Sequence, residues 1–172
     1  MSFFSCTRTS LSYDAFNGLK NITELRMYRC DLSYPPNITY ICDTLEVLVL
    51  TKNRINYFPN SYFDECYSLK RLLINDNNLL EIPSLDFISK TLEYLMIYNN
   101  LLKSCIGLCN LKFPHLTEVN LDKNEISTID WGAIVDNWPM ISHISLRNTN
   151  LTTLPDLRRY QQSSHPYGKS SS

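Results

Sequence analysis

Glycine is scarce in this chain, with only four residues in 172. Neither G-x-G-x-x-G nor G-x-x-x-x-G-K occurs, so the sequence offers no phosphate-cradling loop of the kind found in nucleotide-binding proteins. Basic residues are not in excess either, because the formal net charge is −1 and the pI is about 6.3. This balance gives no electrostatic support for binding a nucleic-acid backbone. We therefore expect no nucleic-acid partner and no cofactor.

Long apolar runs are also missing. No run reaches the 18 residues of a membrane-spanning helix, and the opening MSFFSCTRTS lacks the basic start and long apolar segment of a signal peptide. With 44% hydrophobic and 19% charged residues, the composition is that of a folded domain with a sizeable core. We predict no membrane span and no signal peptide in this chain.

An internal repeat is the main positive feature. The stretch LKRLLINDNNLLEIP at 69–83 spaces its apolar residues in a way that suits neither an amphipathic helix nor a two-faced strand. Similar stretches start at 22, 45, 69, 92, 116 and 141, which are 23 to 25 residues apart. Apolar residues occupy positions 1, 4, 6 and 11 of each copy, and asparagine occupies position 9 except at Cys30 and Thr149. This regularity predicts a solenoid.

The spacing indicates a short strand in each copy, with its apolar residues pointing inward and its neighbours paired in parallel. We predict strands near 24–28, 47–51, 71–75, 94–98, 118–122 and 143–147 in one curved sheet. The asparagine carries both a donor and acceptors, so it can satisfy backbone groups in its own loop and in the next. Cys30 and Thr149 are interpreted as tolerated substitutions at that position.

The stretches LEVLVLTKNRI and LTEVNLDKNEI closely match L-x-x-L-x-L-x-x-N-x-L, and the chain thereby resembles the leucine-rich repeat family. YFPNSYFDEC and EIPSLDF resemble the second half of its typical extracellular repeats through Phe58, Pro59 and Phe63 and through Ile82, Pro83 and Phe87. Toll-like receptor ectodomains are built from such repeats. The resemblance implies an α/β horseshoe with a concave parallel β-sheet and a largely irregular convex side.

The resemblance covers about residues 1–157, as about six full repeats and a partial first one. The serine-rich stretch 158–172 is expected to be a flexible polar tail. The register places Met1 and Phe3 at leucine positions and Cys6 at the asparagine position, so the chain opens partway through a strand. We expect a piece of a longer protein, with Phe3 on an exposed solenoid end.

Six cysteines occur, and four of them fall into two shared columns. Cys6 and Cys30 occupy one column, and Cys42 and Cys66 occupy another on adjacent repeats. We favour buried thiols over disulfides at these four positions. Cys105 and Cys109 lie four residues apart and could form a local bridge or, with His115, part of a metal site; we expect no metal.

Three N-x-S/T strings mark candidate glycosylation sites at Asn21, Asn37 and Asn150. Their number is about what the composition gives by chance, so it carries no argument for secretion. None lies on the predicted strand face, so glycans would leave that face open. The extracellular location that we predict comes from the resemblance.

The outward positions of the strands define the candidate binding face. Val49, Leu73 and Met96 align on three successive repeats, with further apolar and tyrosine side chains around them and charged residues beyond. An apolar centre with a charged rim is typical of a protein-binding surface, although sheet propensity also favours valine and tyrosine. The candidate ligand-binding residues are Tyr28, Val47, Val49, Leu73, Tyr94, Met96, Tyr98, Arg26, Arg71 and Asp122.

Catalysis has little support in the residues. Only His143 of the three histidines falls on the predicted face, beside Glu118 of the preceding repeat, and this pair lacks a nucleophile. We predict a non-enzymatic recognition module that binds a protein or microbial ligand, in an innate-immune or adhesion setting as the resemblance implies. The alternative is a scaffold element that oligomerises through its solenoid ends.

Overall fold

The computed structural model describes residues 2–4 and 11–152, and it places seven strands in one sheet in chain order. Every neighbouring pair is parallel. The strands are β1 (Ser2–Phe4), β2 (Glu24–Tyr28), β3 (Val47–Val49), β4 (Arg71–Leu73), β5 (Tyr94–Met96), β6 (Glu118–Asn120) and β7 (His143–Ser145). This topology confirms the predicted solenoid and its horseshoe class.

Each predicted strand starts where the structure starts it, but β3 to β7 each end two residues earlier than predicted. The hydrogen bonding nevertheless continues past the strands, because the Leu50 N–H donates to the Leu73 carbonyl at 2.8 Å and the Lys52 N–H to the Asn75 carbonyl at 3.1 Å. The eighth residue of each of the six repeats then adopts a positive φ between 53° and 57°. The chain turns away from the sheet at that residue, which is Arg29, Lys52, Asp76, Asn99, Lys123 or Asn148.

Asparagine side chains tie successive repeats together behind the strands. Asn77 accepts the Ile55 N–H at 3.0 Å and donates to the carbonyls of Leu50 at 3.0 Å and Ile74 at 3.1 Å. The contacts therefore reach the preceding repeat and its own loop, whereas the sequence suggested its own loop and the next. Asn53, Asn100 and Asn124 bond in the same way. Thr149 makes one bond of this kind, from its hydroxyl to the Leu146 carbonyl.

The leucine positions of β3 to β6 form a continuous core, with Leu48, Leu72, Leu95 and Val119 all at 0% exposure. The convex side is mostly turns, with two short helices, α1 (Ile106–Cys109) and α2 (Trp131–Asn137). The Asp130 carboxylate starts α2 by accepting the Ala133 N–H at 3.0 Å. α1 lies in the loop that holds Cys105 and Cys109, and α2 lies in the repeat that starts at 116, which is the longest at 25 residues.

Phe87 does not fill the inward position that the repeat pattern implies. Its side chain is 46% exposed, whereas Phe63, ten residues after Asn53, is buried. The repeat starting at 69 is one residue shorter than the repeat starting at 45, and this changes which convex residue points inward. In the shorter repeat Ile88 is buried instead.

The prediction of buried thiols in the two cysteine columns is wrong for Cys42, Cys66 and Cys30. Cys42 and Cys66 form a disulfide with their Cα atoms 4.4 Å apart. Cys30 is disulfide-bonded as well, so it is not a passive substitute for asparagine. Parallel repeats place equivalent Cα atoms close enough for this bond. Cys105 and Cys109 are free and buried.

Several predictions concern parts of the chain outside the described residues. Met1, Cys6, the side chain of Phe3 and the stretch 158–172 belong to this group. The backbone of Phe3 pairs with Met27, as its predicted leucine position requires. Across residues 2–4 and 11–152, no helix is long and apolar enough to cross a membrane.

Candidate protein-binding face

The sheet register aligns the candidate residues as predicted. The column Arg26, Val49, Leu73, Met96 and Asn120 runs across β2 to β6 through direct Cα pairing. A second column runs through Glu24, Val47, Arg71, Tyr94, Glu118 and His143. Adjacent parallel strands lie about 4.8 Å apart, so neighbouring side chains of one column are in contact range.

The apolar column is more covered than the sequence indicates. Val49 and Met96 are each only 6% exposed, and Leu73 between them is half-buried. A partner would therefore meet Leu73 most directly, with Val49 and Met96 supporting it from either side.

Two cations lie over tyrosine rings on this face. The Arg71 guanidinium carbon lies 4.7 Å from the centroid of Tyr94, and Lys52 Nζ lies 5.3 Å from the centroid of Tyr28. Such contacts fix long side chains in place at a surface. Partial burial raises the pKa of Tyr94 and of Tyr98, and the nearby carboxylates of Glu118 and Asp76 act in the same direction. Both hydroxyls therefore stay protonated at neutral pH and can donate hydrogen bonds.

The charged candidates at the rim are already partnered within the chain. Arg26 pairs with Glu24 two residues away. The Asp122 carboxylate accepts the Ser145 hydroxyl at 2.6 Å and the Arg147 N–H at 2.7 Å. Asp122 thus connects β6 to the following repeat, a role that its sequence position did not reveal. Tyr28 and Val47 are half-buried at the β2 and β3 end of the face.

The remaining candidates fall outside a reactive cluster. Glu118 and His143 are register partners, but no hydrogen bond or ion pair joins them in the described structure. Within the described ranges, no group of three metal-ligating side chains comes together, and His115 is exposed.

Asn21 and Asn150 are exposed, whereas the Asn37 amide donates to the Tyr13 carbonyl at 3.0 Å. The three candidate glycosylation sites therefore differ in accessibility.

No family model matches the chain. Keratocan from Bos taurus is 30% identical over 130 residues, covering 73% of this chain and 35% of keratocan. Keratocan from Mus musculus is 31% identical over 125 residues, covering 70% of this chain and 33% of that protein. A Shigella effector LRR domain superimposes with a TM-score of 0.58 at 24% identity, covering 78% of this chain and 53% of that domain.

The chain belongs to the leucine-rich repeat family. Its parallel sheet, its asparagine ladder and these relatives agree on that assignment. Leucine-rich repeat serine/threonine-protein kinase 1 from Caenorhabditis elegans also matches, at 37% identity over 83 residues, but the match covers only 3% of that kinase. This leucine-rich repeat chain spans about a third of the length of the keratocans it matches. Family membership implies a protein-interaction module.

The sequence placed Arg29 and Lys52 on the outer face as charged surroundings of the apolar centre, but it did not predict that they cluster with Arg54 after β2 and β3. Arg29, Lys52 and Arg54 line a cleft of about 250 Å³ with Asp31 and Asn53. Arg29 and Lys52 share position eight of their repeats, and this was the available signal, because equivalent positions stack on adjacent repeats. We call Arg29, Lys52 and Arg54 the basic corner.

Proposed function

We propose that this chain is a non-catalytic recognition module that binds a protein partner on its concave face, with Leu73 at the centre of the contact. The supporting observation is the half-buried Leu73 between the nearly covered Val49 and Met96. A side chain held in this way is rigid before binding, so little conformational entropy is lost on contact. Tyr94 and Tyr98 add large amphipathic side chains to the same surface, as protein-binding hot spots commonly do.

The proposed location is extracellular. The Cys42–Cys66 disulfide supports this, because such bonds persist in oxidising compartments and are rare in the cytosol. The likeness of the repeats to the typical extracellular class agrees with it. A receptor or adhesion setting, with a host or microbial ligand, is the finer form of the proposal. Residues 1–157 would form one recognition unit, with 158–172 outside it.

The test starts from partners recovered by pull-down with the wild-type chain, whose affinities are then measured for Leu73→Glu. The substitution removes apolar contact and forces a charge toward a desolvated surface, so binding should weaken by about 2 kcal/mol, or roughly 30-fold. Leu80→Glu is the matched control, because Leu80 is 62% exposed and lies outside the strands of the sheet. It should retain the wild-type affinity.

Circular dichroism and thermal melting of both variants separate binding loss from unfolding. Equal affinity for Leu73→Glu and wild type would refute the concave-face proposal. If association were instead abolished by Phe3→Glu, the alternative of assembly through a solenoid end would replace it.

A further inference from the structure

The basic corner lies at one edge of the concave sheet, where the chain leaves β2 and β3. Arg29 and Lys52 occupy the same repeat position on adjacent repeats, with φ values of 53° and 57°. The Arg29 N–H donates to the Thr51 carbonyl at 3.1 Å, which ties the two turns together. Two cationic side chains are therefore held on neighbouring turns by backbone hydrogen bonding.

The charges of the corner are poorly neutralised inside the chain. Arg29 makes no ion pair with any described residue, and Lys52 contacts the ring of Tyr28 rather than a carboxylate. The pKa of Lys52 is raised, chiefly by its hydrogen bond with Tyr28 and also by the Asp76 carboxylate, while the positive charge of Arg29 acts in the opposite direction. Arg29 and Lys52 place two positive charges on adjacent repeats, and electrostatic complementarity favours an anionic partner at this edge.

Arg54 is the third cation, and its partner is exchangeable. Its Nε lies 2.7 Å from the Asp31 carboxylate, but the two side chains are 69% and 40% exposed. An exposed pair of this kind contributes little to stability, so Arg54 can turn toward an incoming anion at small cost. The guanidinium groups of Arg29 and Arg54 both suit two-point contact with a carboxylate.

The basic corner spans only two repeats, and this limits the length of the anionic segment that can bind there. On the next repeat the equivalent position is Asp76, whose carboxylate accepts the Asn75 and Asn99 amides at 2.6 Å. A long polyanion running along this edge would meet that carboxylate after only two repeats. One or two carboxylates on a protein surface fit the available length better than a sulfated polysaccharide.

We propose that the basic corner binds a short acidic segment, with neighbouring Asp or Glu side chains, on a protein partner. The corner is continuous with the concave face, since Tyr28 contributes to the face and also contacts Lys52. The inference rests on the proposed function for its partner, because the same protein would cover Leu73 and reach the corner. The inference adds that one end of this partner carries neighbouring carboxylates.

The test uses the acetylated and amidated peptide Glu-Glu-Gly, titrated into the ¹⁵N-labelled chain and followed by NMR. The backbone amides of Arg29, Lys52 and Arg54 should shift together, and added salt should weaken the binding. The double variant R29Q/K52Q should lower the peptide affinity at least fivefold. The control is the double variant Lys103→Gln and Lys112→Gln, which keeps the basic corner intact. It loses the same amount of charge at exposed sites outside the corner, and it should bind the peptide as the wild-type chain does.

A heparin tetrasaccharide provides the competing arm. Tighter binding of the tetrasaccharide than of the peptide at the same amides would overturn the proposal in favour of a polysaccharide. Absence of shifts at the corner with the peptide would overturn it as well. The peptide has no apolar side chain and does not report on the Leu73 surface, so failure here is distinguishable from failure of the concave-face proposal.

Discussion

At the scale of single residues, positions 8 and 9 of the repeat have different structural roles. The asparagine at position 9 satisfies buried backbone groups, and replacing it leaves them unpaired. The residue at position 8 makes the left-handed turn, which asparagine tolerates better than lysine or arginine. The two positions predict substitutions of opposite sign.

Asn77→Leu should destabilise the chain by about 3 kcal/mol despite its added apolar bulk. Asn77 is 7% exposed and bonds to the Ile55 N–H and to three carbonyls, so leucine would leave several buried groups unpaired. Urea unfolding measures the loss. The neighbouring Asn78 is exposed, and Asn78→Leu should change stability by less than about 0.5 kcal/mol. Equal stability of Asn77→Leu and wild type would contradict the ladder role.

Lys123→Asn should stabilise the chain by a few tenths to about 1 kcal/mol. Lys123 has a φ of 54° and is exposed, and asparagine already occupies the equivalent position at Asn99 and Asn148. The urea midpoint should rise. Lys103→Asn, at an exposed lysine outside the positive-φ set, is the control and should not raise it. The same shift in both variants would rule out a backbone cause.

At the scale of the repeat, the period predicted how the strands are built and failed to predict what covers them. The apolar residues at positions 1, 4 and 6 set each strand start, because a slip of one residue would turn the core outward. The repeat pattern places Val49 and Met96 at outward positions, and their 6% exposure is not contained in it. The same holds for the exposed Phe87, whose orientation depends on a one-residue difference in convex length.

For the cysteine columns too, the repeat pattern predicted the positions of the residues but not the bond between them. Column register placed Cys42 and Cys66 on adjacent repeats, but disulfide formation also needs the correct directions of the Cβ atoms. Those directions follow from the convex turns, whose conformations the sequence did not predict. The free pair Cys105 and Cys109 lies instead around α1, a helix that the repeat pattern does not contain.

The Cys42–Cys66 bond predicts a strongly non-additive mutant cycle. Cys42→Ala and Cys66→Ala should each cost about 2–4 kcal/mol, because either one opens the bond that closes this 24-residue separation. The double variant should cost little more than either single variant. Unfolding in urea without reductant measures all three. Additive costs would support two independent buried thiols and reject the disulfide.

At the scale of the whole molecule, the described chain is quasi-one-dimensional, since each strand pairs only with its neighbours in sequence. Local stability then depends on how well each repeat is covered on both sides. The leucine positions of β3 to β5 are at 0% exposure, whereas Ile144 in β7 is only half-buried. Among β2 to β7, whose side chains the structure describes, opening should therefore be easiest at β7.

Native-state hydrogen exchange should reveal a gradient of protection along the sheet. The Leu50 and Ile74 amides, which donate at 2.8 Å to the carbonyls of Leu73 and Met96, should exchange only through large-scale unfolding. The His143 amide, bonded to the Thr117 carbonyl at 3.1 Å, should exchange through local opening with a smaller free energy. Asn77→Leu should lower protection most at Leu50 and Ile74 and least at His143, because coupling passes between neighbouring repeats. Uniform protection from β3 to β7, with a uniform loss in the variant, would show instead that the described solenoid opens as a single cooperative unit.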